Sequence, residues 1–152
     1  MKNGSKDASG GYGVVVYKYV KDPKNLHLVD AFACQTIGTT NNREEMKAIL
    51  WALYNYGVSA DSFTYPIVYT DSLYCVNTFN DWMYRWKNNN WRKADKSTPE
   101  NLDLIKFYDI IYNKWHRKID LRKIKGHAGI EGNELADDLA TGRVTVKEVL
   151  GE

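Results

Sequence analysis

Hydrophobic and polar residues change period several times along the chain, and each change predicts an element. Gly11 to Val20 (GYGVVVYKYV) concentrates Val and Tyr and predicts a strand. Lys21 to Asn25 is turn material, and Leu26 to Gln35 alternates well enough for a second strand, so the pair predicts an antiparallel hairpin. After the polar stretch Thr39 to Asn42 the period becomes helical: Met46, Ile49, Leu50 and Leu53 share a face, and Gly57 is the predicted stop. Tyr65 to Thr70 (YPIVYT) predicts a short apolar strand, and Ser72 to Trp86 a helical stretch broken by Asn88-Asn89-Asn90. Pro99 opens a long amphipathic helix carrying Leu102, Leu104, Ile105, Tyr108, Ile111 and Tyr112. Ile119 to Ile124 reads as a strand, Gly126 to Gly132 as a loop and Asn133 to Ala140 as a short helix, while Val144 to Leu150 fits no single template. Hairpin, helix, strand, helices, strand, helix is the order of a mixed α/β domain with helices packed on a sheet. No internal repeat or linker interrupts it.

Composition narrows the class. A chain of 152 residues suits one domain with one core, and 43% hydrophobic content makes a packed interior feasible. The net charge of +2 is too small to argue for nucleic acid, but its distribution is uneven. Arg85, Lys87, Arg92 and Lys93 form one cluster, and Lys114, Arg117, Lys118, Arg122, Lys123 and Lys125 another. Either can hold phosphates, although a solvated face is the commoner meaning of one cluster alone. Eleven Tyr and five Trp can fill a core or stack on bases. Cys34 and Cys75 form neither a CxxC pair nor a disulfide framework, which points to a reducing compartment. Met1 to Gly10 has no apolar signal core, and no apolar run approaches the roughly 20 residues that span a bilayer. A soluble cytoplasmic protein with no membrane partner is expected.

Three acids fall at element boundaries: Glu45 in the first turn of the first helix, Asp71 just past YPIVYT, and Asp137 on the last short helix. Ligands of open α/β sheets bind beyond the carboxyl ends of strands, where Asp71 sits. Each acid also has an ordinary explanation. Glu45 lies three residues after Asn42 and could close a capping box, Asp71 could cap the next helix, and Asp137 with Asp138 could be a solvated face. Together, carboxylates without His/Cys ligand spacing favour a hard cation such as Mg²⁺. His127, flanked by Gly126 and Gly129, is either an ordinary loop histidine or a mobile proton carrier beside those acids.

Four stretches together resemble the ribonuclease H family: Gly10-Gly11-Tyr12-Gly13, Thr39-Thr40-Asn41-Asn42-Arg43-Glu44-Glu45-Met46, Thr70-Asp71-Ser72, and Gly126-His127-Ala128-Gly129 through Asn133-Glu134-Leu135-Ala136-Asp137. Each alone is unspecific, but their order, separation and placement on the predicted elements are specific, and they cover about Gly10 to Ala140. A fifth stretch, Asp81 to Lys96, resembles the basic handle of bacterial and eukaryotic type 1 members. Here Trp82 and Trp86 share a helix face and Trp91 follows across the Asn turn, with cations interleaved. These indoles could form a satellite core, grip the DNA strand of a hybrid, or divide the two tasks.

The resemblance implies a ribonuclease H-like α/β fold in a single domain, with Lys2 to Ser9 as a loop remnant, residues 81–98 as the handle and 141–152 as a tail. It implies endonucleolytic hydrolysis of the RNA strand of RNA–DNA hybrids with two Mg²⁺ or Mn²⁺ ions, leaving 5′-phosphate and 3′-hydroxyl ends, by a monomer. Glu45, Asp71 and Asp137 match metal-binding carboxylates, and His127 the histidine that assists proton transfer or product release. Glu131 lies near a carboxylate proposed in some members to help product leave. Thr40 and Asn41 match residues near the RNA minor groove, whose 2′-hydroxyls distinguish RNA from DNA. Trp82, Arg85, Trp86, Lys87, Trp91 and Lys93 would contact nucleic acid. Leu73 stands where the family often has Gln and cannot hydrogen-bond a base edge.

One family feature has no counterpart. A further catalytic aspartate ends a first, central strand that precedes the Gly-Gly-Tyr-Gly strand. Before Tyr12 this sequence has no apolar run, with Asp7 as the sole acid and Asn3-Gly4-Ser5 where Asp-Gly-Ser would be superficially matched. The expectation is an N-terminally truncated or mis-started chain, itself poorly active, from a gene encoding an active enzyme. The alternatives are a hybrid-binding module that does not cut, and an unrelated α/β domain with chance motifs.

Overall fold

The computed structural model describes residues 9–20, 22–57, 67–115, 120–124 and 131–152. The chain divides into two compact units, one formed by residues 1–44 and 127–152, the other by residues 45–126.

The first unit is built on the predicted hairpin. Strand β1 (Ser9–Val20) pairs antiparallel with β2 (Asp22–Ile37). The strands are longer than their apolar runs, so the expected turn over Lys21 to Asn25 shrinks: strand begins again at Asp22, and register shifts at Val16/Tyr17 and Tyr19/Val20 absorb the irregularity. Ser9, expected in a loop, is the first residue of β1. Helix α5 (Glu131–Thr141) packs on β1, and its start at Glu131 shortens the expected loop. The glycines of the Gly-Gly-Tyr-Gly stretch explain the close packing. A Cβ on Gly11 would stand 2.5 Å from the carbonyl oxygens of Ala140 and Cys34. One on Gly13 would overlap the Ala136 carbonyl oxygen and come within 2.6 Å of Leu139 Cβ. Helix backbone therefore lies directly on strand backbone. The Gln35 side-chain amide hooks the helix end, donating to the carbonyls of Leu139 at 3.1 Å and Ala140 at 3.2 Å, two of the acceptors a helix terminus leaves over. The expected tail holds a short helix, α6 (Val146–Leu150), entered through a Thr145/Glu148 capping box and closed by Gly151 at φ 76°.

The second unit carries the main core. The division falls within α1 (Asn41–Ala52), which continues as a π-helical turn from Leu53 to Gly57. Then follow β3 (Ile67–Thr70), α2 (Leu73–Asn77), a π-helical turn (Thr78–Trp82), α3 (Met83–Asn88), α4 (Leu102–Trp115) and β4 (Asp120–Lys123). Strands β3 and β4 pair in parallel, Ile67 opposite Asp120 and Thr70 opposite Lys123. Met46, Ile49, Leu50 and Leu53 meet Cys75, Phe79, Met83, Ile105, Tyr108, Ile111 and Leu121 in one buried cluster. Its centre is the Phe79–Tyr108 stack, with ring centroids 4.1 Å apart and planes 9° from parallel. Pro99 does not begin α4; Asn101, at φ 59°, makes the entry turn and its carbonyl takes the Leu104 and Ile105 amides. Among the described residues the strands form two separate two-stranded sheets.

The Gly13 packing predicts that Gly13→Ala costs about 1–3 kcal/mol through overpacking against α5. Urea unfolding should show this as a lower midpoint at unchanged slope.

Candidate active site and nucleic-acid face

The ordinary explanations for Glu45 and Asp71 do not hold. The first helix is capped by Thr40, whose hydroxyl accepts the Arg43 N–H at 3.2 Å while its carbonyl accepts the Glu44 N–H at 3.0 Å. Asn42 is inside the helix, so Glu45 closes no capping box with it. The next helix, α2, is capped by Ser72, whose hydroxyl accepts the Cys75 N–H at 3.2 Å. Asp71 precedes the cap and is exposed.

In the second unit Thr70 links Glu45 to the turn that carries Asp71. Thr70 ends β3, with its side chain buried and its carbonyl accepting the Ile124 N–H at 2.8 Å. Its hydroxyl donates to Glu45 Oε2 at 3.4 Å and accepts the Ser72 N–H at 3.1 Å. The Cys75 thiol lies beneath. Burial chiefly pushes it up to about 12; the Ser72 hydroxyl lowers it, and the charges of Glu45 and Asp71 raise it further. One sulfur thus feels both carboxylates. Two hard oxygen donors at the end of a strand suit a divalent hard cation. Among the described residues no group of three or more His, Cys, Asp and Glu side chains is arranged to hold a metal.

Asp137 belongs to the first unit, exposed on α5, where its carbonyl accepts the Thr141 hydroxyl at 3.1 Å. Glu44, next to the predicted ligand, is buried, and its charge reaches Tyr12. The Tyr12 hydroxyl is raised above its ordinary value first by burial, then by Cys34 and Glu44. His127, Asp7, Asn3 to Ser5, Lys125, Arg117 and Lys118 lie outside the described residues, as does the Glu131 side chain.

The predicted handle divides its residues between structure and surface. Trp82 and Trp86 stand 6.1 Å apart between ring centroids and, with Arg85, Asn89, Arg92 and Ala94, line an open cleft of about 420 Å³. Arg85 pairs with Asp81 at 3.3 Å on the surface. Trp91 packs against the core with the Lys106 ammonium 5.7 Å from its ring centre. Lys87 is drawn inward, binding the buried Asp109 at 2.9 Å. Asn89 and Arg92 were absent from the sequence-predicted contact set; the loop fold that returns Arg92 to the cleft depends on backbone that composition does not show. Of the second basic cluster, Arg122 is engaged by Asp120 at 2.8 Å.

Solved structures with the same fold include RNase H domains. The crystal structure of LC9-RNase H1, a type 1 RNase H with the type 2 active-site motif, superposes with a TM-score of 0.73 at 24% identity, covering 93% of this chain and 65% of that one. The sequence comparisons define the family. The RNase H family profile matches residues 2–145. The ribonuclease H of Nitrosospira multiformis is 35% identical over 134 residues, 86% of this chain and 76% of that protein. That of Dichelobacter nodosus is 42% identical over 103 residues, 67% of this chain and 64% of that protein. The chain belongs to the ribonuclease H family. It therefore falls in a class of metal-dependent nucleases, and the reading as an unrelated α/β domain is excluded.

Two outcomes follow from the geometry. In the folded chain Cys75 keeps its proton, so folding stability falls as pH rises from about 9, the thiol's ordinary value, toward about 12; at pH 8 a disulfide reagent should label Cys34 in the native protein and both thiols only after denaturation. Replacing Lys87 by Ala strands the buried Asp109 carboxylate and should lower stability by about 1–3 kcal/mol. Hybrid affinity should fall less than in Arg85→Ala, as fluorescence anisotropy would measure.

Proposed function

We propose that this chain hydrolyses the RNA strand of RNA–DNA hybrids endonucleolytically, leaving 5′-phosphate and 3′-hydroxyl ends. The observation that carries the reading is the Thr70 hydroxyl at the carboxyl end of β3, which bonds Glu45 and the Ser72 N–H on the turn that carries Asp71. In a family of hybrid-cutting nucleases, two such carboxylates are the metal-holding part of the chemistry. Glu45 and Asp71 would hold divalent cations, Mg²⁺ or Mn²⁺ and two of them as in the family; Asp137 is a candidate ligand by its match to the family's motif alone. When bound, the cations supply an activated water on one side of the phosphorus and charge neutralisation at the leaving 3′ oxygen on the other.

The chain's own residues supply the rest. Asp71 is exposed and Glu45 half-buried, while Glu44, Met46 and Thr70 beside them are buried. Asn41, exposed at the start of α1, would meet the minor groove, and Thr40 fixes that helix start. His127 would carry the proton from the site, and Glu131 would help product leave. In the handle, the Trp82–Trp86 pair offers faces for stacking and Arg85 and Arg92 offer cations to phosphates. Lys93 would add a phosphate contact, while Lys87 and Trp91 act mainly by holding the handle to α4.

Asp71→Asn keeps the size and polarity of the side chain and removes its charge. Cleavage of a labelled hybrid in Mg²⁺ should be lost while the hybrid still shifts on a native gel. Full activity in that variant would sink the assignment. A wild-type chain that shifts the hybrid without shortening it would make the protein a binding module.

A further inference from the structure

We propose that Thr70 is a positioning residue that fixes Glu45 relative to Asp71; this rests on the reading that the two carboxylates hold a divalent cation. A hydroxyl has one proton to give and lone pairs to receive. Thr70 uses both, giving its proton to Glu45 Oε2 at 3.4 Å and receiving the Ser72 N–H at 3.1 Å. One oxygen therefore ties a helix carboxylate to the strand-to-helix turn that carries the other carboxylate. The oxygen is itself well held. Thr70 is 5% exposed, its main chain is locked by the Ile124 N–H at 2.8 Å, and its β-branched side chain has few rotamers. Asp71 sits between this residue and Ser72, the cap of α2, so its backbone is fixed on both sides.

The tie acts against a specific force. Two like charges that share a neighbourhood repel, and each would turn toward water when no cation lies between them. The Thr70 hydroxyl holds Glu45 through Oε2. Such outer partners of metal-binding carboxylates set affinity as well as orientation. Serine at this position keeps the hydroxyl; valine keeps the shape and removes it.

The test uses the full chain and two readouts: Mn²⁺ binding by titration calorimetry without substrate, and the Mg²⁺ concentration for half-maximal hybrid cleavage. Thr70→Val should weaken both by about 10-fold or more, the scale of losing an outer partner of a metal ligand, with KM for the hybrid unchanged. Thr70→Ser should stay near wild type. In a Glu45→Ala background, Thr70→Val should add no further loss of Mn²⁺ binding, because the hydroxyl acts through Glu45. Equal weakening in both backgrounds, or wild-type binding by Thr70→Val, overturns the proposal. Should Thr70→Val not fold, Thr70→Ala, which leaves room for a water on the Ser72 amide, takes its place in the same cycle. A wild-type chain that binds Mn²⁺ but cuts no hybrid refutes the proposed function while the calorimetric cycle still decides the role of Thr70. One that binds no Mn²⁺ refutes both.

Discussion

Two carboxylates can be kept side by side at a surface only if the chain carrying them cannot yield to their repulsion, and the second unit meets that constraint through the core. Met46 follows Glu45 directly into the buried cluster, and Thr70 precedes Asp71 with its side chain inside. A helix turns about 100° per residue, so Glu44 and Met46 can be buried while Glu45 reaches the rim. In β3 successive side chains alternate, with Val68 against the core and Thr70 buried at the strand end. The backbone beneath either carboxylate can therefore move only by disturbing α1, β3 or β4. The stacked Phe79 and Tyr108 and the aliphatic side chains around them resist such movement, because a close-packed interior transmits strain.

The first unit fixes its own acid-bearing helix by another means. Toward the end of α5 the glycines at 11 and 13 let helix and strand backbones touch, and Gln35 anchors the helix end. Backbone-to-backbone packing leaves little freedom for sliding, since the strand's pleat and the helix's carbonyls interlock. Asp137 and Asp138 then lie on the side of α5 that faces away from that contact, where Asp138 meets Arg143 at 3.7 Å.

Elements with a strong period were legible in the sequence: the hairpin, the apolar face of α1, the short strand ending at Thr70 and the core face of α4. Boundaries set by capping were less so. Thr40 and Ser72 each compete with a neighbouring Asn or Asp as the cap, and only backbone geometry decides between them. That decision mattered, because it removed the ordinary explanations for Glu45 and Asp71. The π-helical turns at Leu53–Gly57 and Thr78–Trp82 were not legible, since one extra residue per turn leaves almost no mark on a hydrophobic pattern. Nor was the fate of each cation in the handle. Lys87 and Arg85 are two residues apart on one helix, yet one meets a buried aspartate and the other an exposed one. The partner of Lys87 lies 22 positions away in sequence.

The segment after α3 also shows how local strain can shape a surface cleft. After α3 the chain turns through Asn90 at φ 54° and Trp91 at φ 61°, consecutive residues in the left-handed region. Asn tolerates that region and Trp does not, so this conformation costs on the order of 1 kcal/mol or more. Burial of the Trp91 indole against the core, the Lys106 ammonium over its face and a 2.7 Å bond from its N–H to the Trp86 carbonyl offset that cost. The reversal sends Arg92 back along the helix it has just left, so that it lines the same cleft as Arg85 and the Trp82–Trp86 pair. Trp91 is thus better understood as the anchor of the turn than as a stacking platform. The two roles separate physically: an anchor acts on the position of Arg92 and on stability, whereas a platform would act on affinity for single bases.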